Sequence, residues 1–218
     1  MPIPQIIYQT FKTAQLPWIT KIQIANFRRK NPGYAYEFYD DAAIELFLAE
    51  AYGAAILKLY QRINIGAAKA DFFRYAILYK KGGVYLDIDS LIRKDLSKLI
   101  LPADEAIIAR EGHPQFYVQW ALIYAAGHPF LAKTMELMID NLRSNRFPNN
   151  VHQMTGPAVY TAAIDACLAK DPAIPYRLYE VDYGRFFKFK YHFNKNIYGN
   201  RAEHWKVKQL TTPVLLPE

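Results

Sequence analysis

The sequence predicts an α/β fold with a mostly parallel sheet flanked by helices in a single domain, and three observations carry that prediction. Short β-rich runs alternate with helix-patterned segments, the order that builds a parallel sheet covered on both faces. No internal repeat, low-complexity stretch or linker divides the chain. Its 218 residues, 52% of them hydrophobic, suffice for one sizeable core and fall short of two full domains.

Taken in order, "PQIIYQTF" is a short strand. "PWITKIQIANFRRKNPG" is a helix that starts at Pro17 and stops at Asn31, Pro32 and Gly33. "YAYEFYD" alternates as a strand and hands over to Asp40 and Asp41, which suit the N-cap of the helix "AAIELFLAEAYG". A helix from about Ala67 to Lys80 ends at Gly82 and Gly83, where positive φ is tolerated, and leads into the strand "VYLDID". "EAIIARE" reads as a strand, "PFLAKTMELMIDNLRSNRF" as an amphipathic helix, "GPAVYTAAIDACLAK" as a helix opened by Pro157, and "RLYEVD" as a late strand. From 184 to 218 the chain is aromatic, basic and aperiodic. That composition suits loops folded over the sheet and closing on an anionic ligand, rather than a core element.

The chain carries 27 Lys and Arg against 20 Asp and Glu, a formal charge of +7, so its surface favours anionic partners such as phosphates, nucleotides or acidic lipid. Cys167 is the single cysteine, which excludes an internal disulfide and fits a reducing compartment. No apolar run approaches the roughly 20 residues of a membrane span, and no signal segment opens the chain. The expectation is a cytoplasmic protein, with peripheral membrane contact open through its aromatic and basic residues. Lys188, Lys190, Lys195 and Arg201, interleaved with aromatics, would also suit single-stranded nucleic acid. No recognised nucleic-acid motif supports that partner.

The chemistry concentrates around "GGVYLDIDS". If Val84, Leu86 and Ile88 face a core, strand alternation sends Tyr85, Asp87 and Asp89 to the other face, with the two acids about 7 Å apart. Ligands of open α/β sheets bind beyond the carboxyl ends of strands, and a hard divalent cation, Mn²⁺ or Mg²⁺, would relieve the repulsion between the two acids. On the preceding helix Asp71 and Arg74 are three residues apart on one face, either as a surface ion pair or as part of a site. His113 and His128 each precede proline in a turn and are read as structural.

"IPQIIYQTFK", "NPGYAYEFYDD" and "AAKADFFRYAILYKKGGVYLDIDS" resemble, in order and spacing, the sugar-nucleotide glycosyltransferases of family 32. That family includes polymannose-initiating and capsular-polysaccharide enzymes, and the glucosylating domains of large bacterial toxins are similar. The resemblance covers residues 3 to about 90 and continues in "VQWALIYAAGHPFL" and "TGPAVYTAA". Tyr8 stands where the family usually has His, and Phe11 and Tyr39 where it usually has Trp.

The resemblance implies a GT-A type fold and a metal-dependent, retaining transfer of sugar from a UDP- or GDP-linked donor to a hydroxyl of a glycan or glycoconjugate. It implies that Gln9, Thr10 and Phe11 lie beside the base and ribose, and that Asp71 and Arg74 hold the sugar and diphosphate. Asp87 would take the ribose or a metal-bound water, Asp89 the metal, and Gln119 the reacting sugar. Tyr85, Thr155, Gly156 and Trp205 would complete the donor site, with His192 or His204 as a further metal ligand. Two other readings compete. "YLDIDSLI" also resembles the loop of aspartate-nucleophile phosphatases, although Leu91 stands where that loop has Thr or Val. The third is a non-catalytic module that binds a nucleotide sugar.

Overall fold

The computed structural model describes residues 2–112, 116–191 and 205–217. Their elements run β1 (Ile6–Thr10), α1 (Trp18–Lys30), β2 (Ala35–Tyr39), α2 (Asp41–Tyr52), α3 (Ala54–Gln61), α4 (Gly66–Lys81), β3 (Gly83–Leu86) and β4 (Leu91–Ile92). A 3₁₀ turn at Leu96–Lys98 precedes β5 (Ala106–Ala109), β6 (Ala121–Tyr124), α5 (Pro129–Arg143), α6 (Val151–Met154) and α7 (Pro157–Lys170). Then come β7 (Arg177–Tyr179), β8 (Phe187–Lys188) and α8 (Trp205–Lys208).

The main sheet has the order β2-β1-β3-β6-β5-β7. β1 pairs parallel with β2 and β3, and β5 parallel with β7, while β6 runs antiparallel between β3 and β5. Both faces are buried, as alternation along the central strands requires. Tyr8, Tyr85, Leu122, Tyr124 and Ile108 pack under α2 to α7, whereas Ile7, Val84, Leu86, Ile123 and Ile107 pack under α1 and the Leu96–Ile100 segment.

Most expected elements form where the sequence places them. Asp40 caps α2 by accepting from the Ala43 backbone N–H at 3.0 Å. Asn31 ends α1 and is buried, its Oδ1 accepting from the Leu96 N–H at 2.7 Å. Gly82 and Gly83 have φ of 66° and 113°. A Cβ on Gly83 would sit 2.9 Å from the Ile6 carbonyl oxygen, so the turn from α4 into β3 requires glycine sterically as well as conformationally.

The expectation for "VYLDID" needs correction. β3 ends at Leu86; the Asp87 N–H still pairs with the Trp120 carbonyl, but the Ser90 N–H then bonds the Asp87 carbonyl at 2.9 Å and closes a turn. Asp89 therefore lies on this turn and not on the face of the strand. Asp and Ser favour such turns over a continued ladder. Ile88 leaves the core of Val84 and Leu86 and packs with Tyr191, Phe11 and Leu16. The C-terminal stretch also departs from a pure loop: Phe187, Tyr191, Val214 and Leu215 are buried, and β8 pairs antiparallel with β4. Residues 192–204 lie outside the described residues.

Candidate active site

α4 and the end of β3 bring the central residues together. Arg74 is 4% exposed and meets four acceptors. Its Nε donates to the Ala70 carbonyl at 3.2 Å and Nη1 to the Gln119 carbonyl at 2.8 Å. Nη2 donates to Asp87 Oδ1 at 3.0 Å and lies 3.4 Å from Asp71 Oδ1. The guanidinium stacks over the Tyr85 ring at 4.8 Å. The Asp71–Arg74 spacing thus makes a buried pair, and the surface ion pair is excluded.

Asp71 is held from both sides. Thr155 Oγ1 donates to its Oδ2 at 2.9 Å and Gln119 Nε2 to its Oδ1 at 3.2 Å. The amide of Gln119 is fixed in turn by the Tyr75 hydroxyl, which donates to Gln119 Oε1 at 2.6 Å. Asp87, with a side chain 24% exposed, also accepts from the Tyr85 hydroxyl at 2.9 Å. Gln9 is fully buried; its Nε2 donates to the Asp87 carbonyl at 3.2 Å and its Oε1 accepts from Tyr36 at 3.1 Å. Thr10 Oγ1 donates to the Tyr39 carbonyl at 2.8 Å. The Phe11 N–H bonds the same carbonyl, and its ring packs on Ile88 and Tyr191. Gly156 opens α7 without room for a side chain, since a Cβ would sit 2.9 Å from His152 Cα.

The electrostatics follow from burial and from the Arg74 guanidinium. Burial raises the Asp87 carboxyl to about 6; Arg74 opposes that rise, and the neighbouring Asp89 charge adds to it. Burial also raises Asp71, against Arg74, Thr155 and Gln119, which all favour its charged form. For Arg74 burial works against the charge, yet Asp87, Tyr85 and Asp71 outweigh it and hold the guanidinium above its ordinary pKa. Two acids thus share one guanidinium while a third, Asp89, is 2% exposed two residues beyond Asp87.

This donor set fits a divalent cation. Asp87 and Asp89 offer hard oxygens, and Ser90, directly after them, buries a hydroxyl that lacks a hydrogen-bond partner among the described residues. Among the described residues no group of three His, Cys, Asp or Glu gathers as a metal cage. A Mg²⁺ or Mn²⁺ site usually takes one or two carboxylates and completes its shell with water and substrate phosphates. His192, His204 and the side chain of Trp205 lie outside the described residues, as does His113. His128 is structural: its Nδ1 accepts from the Phe130 N–H and its Nε2 faces the Pro175 carbonyl.

Three residues of the site were not anticipated. Tyr75 lies four residues after Asp71, on the same helical face, so helix periodicity alone places it there. Ser90 extends the Asp-x-Asp motif by one position. Tyr191, whose N–H bonds the Asp89 carbonyl at 3.0 Å and whose hydroxyl pairs with Thr20 at 2.7 Å, gives no local signal, being 102 residues away in sequence from Asp89.

Comparisons with known proteins bear on the family and the fold. Residues 19–111 match the family model of the glycosyltransferase sugar-binding region containing the DXD motif. The chain is 28% identical over 193 residues to an initiation-specific alpha-1,6-mannosyltransferase of Schizosaccharomyces pombe, covering 74% of this chain and 48% of the relative. It is 32% identical over 159 residues to inositol phosphoceramide mannosyltransferase 3 of the same organism, covering 71% and 43%. The chain thus spans about half the length of the curated relatives it matches. Among solved structures it superposes on the PaToxG glycosyltransferase with a TM-score of 0.63 at 22% identity, over 78% of this chain and 71% of that one, a likeness of fold. Residues 19–111 thus match the DXD-containing sugar-binding region of glycosyltransferases, and the chain is similar to the family 32-like enzymes and has a GT-A fold.

Proposed function

We propose that the chain transfers a hexose from a nucleoside diphosphate sugar, UDP- or GDP-linked, to a hydroxyl of a glycan or glycoconjugate, with retention at the anomeric carbon. The observation that carries this reading is the buried Arg74 holding Asp71 and Asp87 together at the end of β3, beside the Asp87–Asp89 turn. The names of the relatives make mannosyl donors the first to test.

In this reading Asp87 and Asp89 would hold Mn²⁺ or Mg²⁺, which would supply positive charge beside the diphosphate leaving group. Arg74 keeps both acids in register and adds a preorganised cation near the same charge. Asp71 accepts hydrogen bonds from sugar hydroxyls with the lone pairs that Thr155 and Gln119 leave available, and those two donors orient it and favour its charged form against the burial that raises its pKa. Phe11, at the end of β1, faces the nucleotide side, with the buried Gln9 and Thr10 behind it holding the Asp87 and Tyr39 carbonyls. Retention without a protein nucleophile is front-face displacement: the anomeric C–O bond to phosphate breaks and the bond to the acceptor oxygen forms on the same face. The acceptor proton passes to the departing phosphate oxygen. The phosphatase reading loses support because Asp87 Oδ1 already receives hydrogen bonds from Arg74 and Tyr85, which blunts it as a nucleophile.

The test is a thermal-shift panel of UDP- and GDP-hexoses with and without Mn²⁺, followed by nucleoside diphosphate release. A donor at about 100 times its Kd should add about 2.7 kcal/mol to stability. Asp89→Ala should abolish the Mn²⁺-dependent part of that gain and the release while the protein remains folded. Binding without release would leave a sugar-nucleotide module, and no response to any donor would sink the reading.

A further inference from the structure

The outward face of α1 does not behave as a solvated helix face. Thr20, Ile24 and Phe27 turn inward, as amphipathic spacing demands. On the outward side Trp18 is 72% exposed and Ile22 43% exposed, and Ala25 and Arg29 continue the same stripe at helical spacing. Lys21, Arg28 and Lys30 flank it and are exposed.

The charge around this stripe is one-sided. Lys30 Nζ donates to the Arg93 carbonyl at 3.1 Å, the Arg93 N–H bonds the Phe186 carbonyl, and Lys94 Nζ donates to the Gly184 carbonyl at 3.1 Å. These bonds join the C-terminal end of α1 to residues 93–98 and 184–190. Together, 18–30, 93–98 and 184–190 carry ten Lys and Arg and one acid, Asp95, an excess of nine in a chain whose net charge is +7. The surplus charge of the whole protein therefore sits on this connected surface, and the remainder is slightly acidic. Phe189, 48% exposed between Lys188 and Lys190, adds a second aromatic.

We propose that this surface docks the protein on an anionic phospholipid bilayer, with Trp18 and Ile22 entering the headgroup boundary and the surrounding Lys and Arg facing lipid phosphates and carboxylates. An exposed Trp and Ile at helical spacing within a basic field is the pattern of an interfacial helix. Single-stranded nucleic acid would use the cations and aromatics but gives no role to an exposed aliphatic stripe. The inference does not depend on sugar transfer, since none of these residues belongs to the site.

Sedimentation of the full chain with vesicles tests it directly. Vesicles of phosphatidylcholine with about one third phosphatidylserine should bind the chain, with affinity falling as salt is added, and vesicles of phosphatidylcholine alone should bind it far less. Arg28→Ala with Arg29→Ala should lower partitioning about 25-fold, near fivefold per cation. Trp18→Ala with Ile22→Ala should lower it about tenfold or more, without loss of donor response. Arg93→Ala with Arg185→Ala repeats the charge test through other exposed positions if the first pair disturbs α1. Equal binding to both vesicle types, or variants that bind like wild type, would overturn the proposal. Displacement from vesicles by equimolar single-stranded RNA would also overturn it and give the surface to nucleic acid.

Discussion

Arg74 serves four acceptors spread around one plane, two of them carboxylates on different elements, and a planar fork meets that demand where an ammonium cannot. Arg74→Lys keeps the charge yet leaves part of this set unbonded. It should lower kcat/KM by about 100-fold or more, because misplacing a catalytic group by 1 Å suffices for that. Breaking a buried pair also costs about 3 kcal/mol, so the urea midpoint should fall. A surface ion pair would predict near silence in both measurements. His128 makes a different kind of prediction. Burial lowers its pKa, against the Pro175 carbonyl and the Glu105 charge, and its Nδ1 must stay unprotonated to cap α5. A histidine depressed in the folded state contributes stability above its unfolded value of about 6.5 that is lost as pH falls through its folded value. Urea unfolding at pH 7.5 and 5.5 should show a larger acid loss for wild type than for His128→Asn, which keeps a capping oxygen and does not titrate. Equal losses would remove His128 from the acid response.

At the scale of elements, the passage from α4 to β3 depends on two glycines with positive φ, and Gly83 meets the Ile6 carbonyl and Tyr8 across the sheet. Gly83→Ala should cost about 2 kcal/mol or more, from a strained φ together with a clash against backbone that cannot move aside. Chemical denaturation measures it, and a change within 0.5 kcal/mol would mean that the turn relaxes freely. This turn was legible in the sequence because two adjacent glycines after a helical period have few other uses. The α1 and α2 boundaries were legible for similar local reasons, in Pro17, Asn31 and Asp40. β6 was not, since "WALIYAA" is a continuous apolar run without the alternation that separates a buried strand from a helix. α3 also escaped notice, lying directly after α2 with only Gly53 between them. For the site, spacing marks Asp71, Arg74, Asp87 and Asp89 as candidates and the family resemblance supplies their roles, but the exit of Asp89 from the strand face was not legible. Asp and Ser favour a turn there, but the Tyr191 N–H that bonds the Asp89 carbonyl arrives from the far end of the chain, and local propensity carries no record of such a contact.

At the scale of the whole molecule, the chain closes on itself at both edges of its C-terminal stretch. Tyr191 anchors one end to Asp89 and Thr20. At the other end the Asn64 N–H bonds the Val214 carbonyl at 2.8 Å, the Val214 N–H bonds the Pro148 carbonyl at 2.6 Å, and the Leu216 N–H bonds the Arg62 carbonyl at 2.8 Å. Val214 and Leu215 are 0% and 3% exposed, inside the same core that packs α4 against α5 and α7. A tail that only covered a ligand could be removed without cost to folding; this one supplies core side chains and backbone pairing to the links before α4 and after α5. A chain ended after Phe189 should therefore lose stability as well as activity, and such a truncation cannot isolate a lid. Leu215→Ala separates the two roles, because it touches the core and leaves residues 184–191 intact. Its expected cost is about 2–3 kcal/mol, the range for emptying a buried leucine site, with donor binding retained at temperatures below the transition. If instead Leu215→Ala leaves the urea midpoint unchanged while donor binding weakens, the C-terminal end acts on the site and contributes nothing measurable to the fold.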